Sequence, residues 1–176
     1  MPSASHQKRT LVAVVEDHPG VMSRVVSMFR RRGFNIAEIA VGPTETPSQS
    51  RITLLVDASN TEIDQVIKQL YKLIEVLKVV DLTEEATVER ELALIKVNAT
   101  TQTRAELMQL VTIYEARIVD LTRNTMIIEI ARSLDKVEAL IGLLRPFGIK
   151  EIARTGRVAM TRGTGEVYSV RDEAFA

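Results

Sequence analysis

The stretch TLVAVVEDHPGVMSRVVSMFRRRGFN, Thr10 to Asn35, decides the fold class. Thr10 to Val15 is an apolar, β-branched run with the composition of a buried strand. Glu16-Asp17-His18-Pro19-Gly20 breaks that run with a turn. Behind the turn Val21, Met22, Val25, Val26 and Phe29 recur at helical spacing. Arg30-Arg31-Arg32 suit the negative end of the helix dipole, and Gly33 supplies a stop. A buried strand, a tight turn and an amphipathic helix open an α+β unit.

The rest of the chain extends this beginning twice over. Ile36 to Val41 and Arg51 to Val56 read as strands of a hairpin, joined by a polar loop containing Pro43 and Pro47. The capping box Ser59-x-x-Glu62 opens a second helix with Ile63, Val66, Ile67, Leu70, Leu73 and Ile74 on one face, and Val76 to Leu82 returns as a strand. A polar, glutamate-rich bridge follows from Thr83 to Arg90, and then the order repeats. Leu92 to Ala99 is a strand, and Thr103-x-x-Glu106 caps a helix whose inner face is Leu107, Leu110, Val111 and Tyr114. Arg117 to Leu121 and Met126 to Ala131 form the next hairpin around Arg123-Asn124. Ser133 caps a helix that buries Val137, Leu140, Ile141 and Leu144 and stops before Pro146; Ile149 to Thr161 is a final strand with a bend expected at Gly156.

The fold class expected is therefore α+β, two tandem ferredoxin-like βαββαβ domains, each a four-stranded antiparallel sheet carrying two helices on one face. The second face of each sheet has no cover within its unit, and the sheet edges are open. Dimerisation commonly solves both problems.

Composition excludes several functions. Lys+Arg and Asp+Glu both number 23, so the electrostatic footprint of a nucleic-acid binder is missing. The strands Leu11 to Val15 and Arg51 to Val56 also lack the aromatic residues on which an RNA-recognition sheet of this topology stacks bases. No cysteine occurs, which removes thiol nucleophiles, disulfides and cysteine-ligated metals. His6 and His18 are the two histidines, too few to support a metal centre or a histidine base. Neither a GxxxxGK[ST] loop nor a GxGxxG fingerprint is present. The polar N-terminus does not fit a signal peptide and no apolar run approaches the roughly 18 residues of a membrane span, so a cytoplasmic location is expected.

Asp17-His18-Pro19-Gly20 differs from the other turns, because it joins a buried strand to a helix N-terminus with a glycine where free amides point outward. Two readings stay open. The turn is a carboxylate-binding site, or Asp17 or His18 merely caps the helix while Pro19 fixes its first turn and Gly20 allows close packing. Asn35 opens the next strand, where the fold is expected to bring it near this loop so that its amide completes a polar pocket. An ordinary turn asparagine is an equal reading. Arg30 to Arg32 read as a solvated helix end.

The residues Leu11 to Gly20, Arg24-Val25, Phe29 and Arg32-Gly33-Phe34-Asn35-Ile36 resemble the opening ACT domain of the small subunits of acetolactate synthase (acetohydroxyacid synthase). The resemblance continues through Val41-Gly-Pro-Thr44, Ser50-Arg51, Lys68 to Leu73, Val88-Glu-Arg-Glu-Leu92, Glu151-Ile-Ala-Arg154-Thr-Gly156 and Arg162-Gly163. It implies an arm over residues 1–8, a valine-binding and dimerising ACT domain over 9–83, a linker over 84–90, a second ferredoxin-like domain over 91–162 and a tail over 163–176.

By the same resemblance the chain is a non-catalytic regulatory subunit in branched-chain amino-acid biosynthesis, which activates a catalytic subunit and makes it sensitive to valine. Thiamin diphosphate, FAD and magnesium are expected only in that catalytic partner. The effector is expected at an interface between two ACT domains, held by Asp17, His18, Pro19, Gly20 and Val21, with Asn35 and Ile36 supplied at the interface. Asp17 stands where many members carry asparagine. The rival readings are an ACT-domain sensor of a different biosynthetic enzyme and a ferredoxin-like enzyme. The first would lack the Val88 to Glu91 and Glu151 to Arg154 segments, and the second needs a nucleophile or base constellation that the sequence does not offer.

Overall fold

The computed structural model describes residues 7–163, with the side chains of residues 7, 60 and 61 left aside. His6, most of the expected arm and the tail from residue 164 onward lie outside the described residues. The described residues divide into two compact units, residues 7–88 with 159–163, and residues 89–158.

In the first unit the elements are β1 (Gln7–Glu16), α1 (Val21–Arg32), β2 (Asn35–Pro43), β3 (Gln49–Ala58), α2 (Asn60–Leu70) and β4 (Val76–Asp81), with the sheet order β2-β3-β1-β4. β1 runs antiparallel to β3 from Gln7 opposite Ala58 to Glu16 opposite Gln49, and β2 pairs with β3 from Asn35 opposite Asp57 to Pro43 opposite Ser50. β2 and β4 are therefore the edges.

Alternate residues of β1 and β3, Leu11, Ala13, Val15, Ile52, Leu54, Val56 and Ala58, face the helices and form one core with Val21, Val25, Met28 and Phe29 of α1 and Ile63, Val66 and Leu70 of α2. Burying each larger side chain contributes about 1.5–3 kcal/mol, and this contact is what holds two helices of three turns in place. The inward stripe of α1 is i, i+4, i+7, i+8; Val26, expected inside, falls off it and is exposed. Gly33 ends α1 in the left-handed region at φ 73°, its N–H donating to the Arg30 carbonyl, and the rings of Phe29 and Phe34 meet edge to face at 6.4 Å.

α2 begins as the capping box foretells, with the Ser59 N–H donating to the Glu62 carboxylate at 2.7 Å. It ends earlier than its apolar pattern. The helix stops at Leu70, Leu73 lies in the following turn and Ile74 is solvent-exposed. The Tyr71 hydroxyl accepts from the Val79 N–H at 3.0 Å and donates to its carbonyl, so the residue after the helix serves edge strand β4 instead of prolonging α2.

The second face of this sheet is not bare, contrary to expectation. Val12 on that face packs with Val80, Leu82 and Ala159, and the Arg51 guanidinium donates to the Ala159 carbonyl. The cover comes from the end of the final strand, whose residues 159–161 group with the first unit.

The second unit repeats the order with β5 (Thr87–Asn98), α3 (Arg104–Ile113), β6 (Arg117–Leu121), β7 (Thr125–Arg132), α4 (Leu134–Leu144), a 3₁₀ turn (Arg145–Phe147) and β8 (Ile149–Thr161), in the sheet order β6-β7-β5-β8. Its core joins Ala93, Ile95, Val97, Met126, Ile128 and Ile130 to Leu107, Val111, Val137, Leu140, Ile141 and Leu144. Gly156 takes φ 76° within β8, a left-handed residue in mid-strand at the expected bend.

Two expectations change here. Thr103 does not cap α3 through its own hydroxyl; Thr100 and Thr103 exchange hydrogen bonds, each hydroxyl accepting the other's N–H, so the box sits one turn earlier than Thr103-x-x-Glu106. Residues 87–90 of the expected linker are strand, because the Arg162 N–H donates to the Ala86 carbonyl and Arg162 Nε to that of Thr87, and Arg157 reaches Glu89 at 3.1 Å.

Candidate functional site

Val15 is the last buried residue of β1, and Glu16, Asp17, His18, Pro19 and Gly20 are all exposed. The Asp17 N–H donates to the carbonyl of Ser48, a left-handed residue in the β2–β3 turn, so the loop is tied to that hairpin. His18 Nε2 lies 3.2 Å from the Glu16 carboxylate. Gly20 takes φ 94°, a conformation that L side chains rarely adopt, and delivers the chain into α1 with no side chain capping that end. The helix therefore presents uncapped N-terminal backbone beside an exposed carboxylate, that of Asp17.

A cavity of about 400 Å³ lies over this junction, lined by Val15, Glu16, Asp17, His18, Pro19, Gly20, Val21, Met22, Val41 and Ser50. Its chemistry suits a small zwitterion with an apolar side chain. Helix-end amides can receive a carboxylate, Asp17 can receive an ammonium, and Val15, Val21, Met22 and Val41 can surround a hydrocarbon. Sequence reasoning missed Val15, Glu16 and Met22, which adjoin the expected loop, and Val41 and Ser50, which are distant from it in sequence, as lining. Val41 and Ser50 stood in motif segments, and only the hairpin register brings them to the loop.

The structure separates Asn35 and Ile36 from this loop within one chain. Asn35 is opposite Asp57, whereas the loop leaves β1 at Glu16, opposite Gln49. That is about eight residues of β3, or roughly 27 Å at strand rise. Asn35 is exposed on edge strand β2, and Ile36 packs partly against the core. The expected proximity fails because β2 starts at the far end of the sheet.

Beside the loop, Arg24 forms an ion pair with Glu75 at 2.6 Å, and the Glu16 N–H donates to the Glu75 carbonyl. These bonds fix the first turn of α1 to the segment leading into β4.

In the second unit the motif segments meet each other. Arg154 makes two hydrogen bonds of 2.7 Å to the Glu91 carboxylate and one of 2.7 Å to Glu138. The Glu91 side chain is 1% exposed. Its hydrogen bond to Arg154, and then that of Glu138, hold the guanidinium above its ordinary pKa against the opposing effect of burial. The Glu91 and Arg154 motifs are thus a clamp between β5 and β8. Among the described residues no helix is long and apolar enough to cross a membrane.

Two ferredoxin-like units in tandem, the first with a ligand-sized cavity at its β1–α1 loop, define a tandem ACT-domain protein. The family model "AHAS small subunit-like ACT domain" matches residues 11–78, and "Small subunit of acetolactate synthase" matches residues 90–163. The probable acetolactate synthase small subunit of Archaeoglobus fulgidus is 52% identical over 156 residues, covering 89% of this chain and 98% of that protein. The acetolactate synthase small subunit of Mycobacterium leprae is 44% identical over 162 residues, covering 92% and 96%. The crystal structure of the acetolactate synthase small subunit from Thermotoga maritima superposes with a TM-score of 0.83 at 46% identity, over 89% of this chain and 98% of that one. The chain belongs to the acetolactate synthase small-subunit family.

Proposed function

We propose that this chain is a non-catalytic regulatory subunit of acetolactate synthase that raises the activity of the catalytic subunit and makes it sensitive to valine. Family membership supports the choice of partner enzyme. The observation that carries the effector reading is the cavity at the β1–α1 loop, where an uncapped helix end, the Asp17 carboxylate and four apolar side chains match the three parts of a branched-chain amino acid. Thiamin diphosphate, FAD and magnesium belong to the catalytic subunit in this reading, and this chain contributes none of them.

Homodimerisation completes the site. β2 is an edge strand that exposes Ile39 and Val41, and an antiparallel pairing of two β2 strands about a two-fold axis at Ile39 sets Asn35 of one copy opposite Pro43 of the other. The partner subunit's Asn35 and Ile36 then approach the Val41 side of the cavity, so the residues that one chain holds apart come together between two. The Asn35 amide adds a hydrogen bond to the effector, worth about 0.5–1.5 kcal/mol.

Acetolactate formation by the catalytic subunit, measured alone, with this chain, and with this chain and valine, tests the proposal. The expected result is a rise on adding the chain and a valine-dependent fall only in its presence. Pyruvate condensation by the chain alone, or valine inhibition that is the same with and without it, would overturn the reading.

A further inference from the structure

The second unit contains a cavity of about 570 Å³, lined by Arg90, Ile113, Tyr114, Glu115, Arg132, Ser133 and Lys136, which the effector reading does not use. Its three cations come from three elements: Arg90 from β5, Arg132 from the end of β7 and Lys136 from the first turn of α4. One carboxylate opposes them. Glu115, just past the end of α3 at φ 50°, is hydrogen-bonded to Arg132. Arg90 donates to the Glu89 carbonyl, a neutral acceptor. The lining therefore carries two cationic charges in excess.

The N-terminus of α4 is not the source of this field. The Asp135 carboxyl already accepts hydrogen bonds from the Ser133 hydroxyl and from the Lys136 and Asp135 amides, which hold it below its ordinary pKa. Positive charge in the cavity resides on long side chains around a concave space whose volume lies in the range of small-ligand sites. Ile113 and Tyr114 supply an apolar wall.

We propose that this cavity binds a phosphoryl group, with Arg90, Arg132 and Lys136 as its cationic ligands. Charge decides the class. A carboxylate would leave half of the excess unmatched, whereas a phosphate monoester carries about −1.5 to −2 at neutral pH and offers three acceptor oxygens to donors from three elements. The wall of Ile113 and Tyr114 gives an organic substituent a place to lie.

Titration calorimetry on the full chain, with inorganic phosphate and separately with phenyl phosphate, tests the site. Saturable binding is expected, weakened about tenfold or more in the double variant R90Q/K136Q, which removes two exposed donors and no core residue. Arg132 is kept, because its loss would strand Glu115. The control K72Q/K78Q removes the same charge from the first unit and should bind as the wild type does. Tighter binding of phenyl phosphate assigns the source to a phosphorylated organic molecule and equal affinities assign it to free phosphate; both support the site. Absence of saturable binding up to about 10 mM, an unchanged double variant, or equal weakening in the control would overturn it. Loss of activation of the catalytic subunit by the double variant, where wild type binds neither probe, would make the surface a protein contact and overturn it too.

Discussion

Gly20 stands at φ 94°, ψ −15°, and the nearest atom to a Cβ built there is Nη1 of Arg24 at 3.6 Å, an ordinary contact. Substitution at this position therefore strains the backbone, by about 1–3 kcal/mol, more than it creates a clash. Gly20→Asp adds a carboxylate in front of the α1 amides, where it competes with the effector's own. We expect this variant to lose valine inhibition in a valine titration of the reconstituted enzyme while it still activates. Retention of wild-type inhibition would mean that the loop is not the effector site. The glycine and its turn were legible in the sequence because a strand-to-helix junction needs them. The place of Asn35 was not, since it depends on which end of a strand meets which loop, and residue type carries no such information.

Asp135 offers a test in the other unit. Hydrogen bonds, first from Ser133, lower its pKa from the ordinary 3.8, so its contribution to stability is present above that value and is lost as pH falls through the lower folded one. In Ser133→Ala an NMR pH series should show the Asp135 midpoint rising toward the ordinary value, and an unmoved midpoint would contradict the assigned cause.

Among the elements, β5 and β8 are joined by Arg154 and Glu91, a pair that explains why two motifs some sixty residues apart in sequence define one half of the chain. Arg154→Ala leaves a buried carboxylate alone and should cost about 3 kcal/mol in urea denaturation, the lower end of the range for such losses because the arginine side chain is 32% exposed. The double variant Glu91→Leu with Arg154→Met should recover most of that stability. If the double variant is as unstable as the single, the clamp is not electrostatic. A second ion pair between the same two strands explains what sequence patterning missed. Thr87 to Arg90 looked like a polar linker because its Glu89 is paired with Arg157, far along the chain, and a window of local sequence does not contain that partner. The helices were read well wherever local chemistry sufficed, as at Ser59 and Gly33. They were read poorly where a tertiary partner intervened, as where Tyr71 ends α2 by bonding to β4.

For the whole molecule, the central claim is that two copies of this chain build each effector site between them, the loop from one and Asn35 from the other. The repeat of βαββαβ was visible from end to end, but a shared site is a property of symmetry and no single sequence or chain displays it. Sedimentation analysis should find a dimer, and a monomer at all concentrations with or without valine would count against the claim. Complementation tests it most directly. Asn35→Ala and Gly20→Asp chains, each expected to be insensitive to valine, are mixed by co-expression and reconstituted with the catalytic subunit. Random pairing places both lesions in one site of a mixed dimer and leaves the other intact, so about a quarter of all sites are restored and partial valine inhibition should return. If the mixture stays as insensitive as either parent, with mixed dimers shown to be present, each site lies within a single chain and the account is wrong.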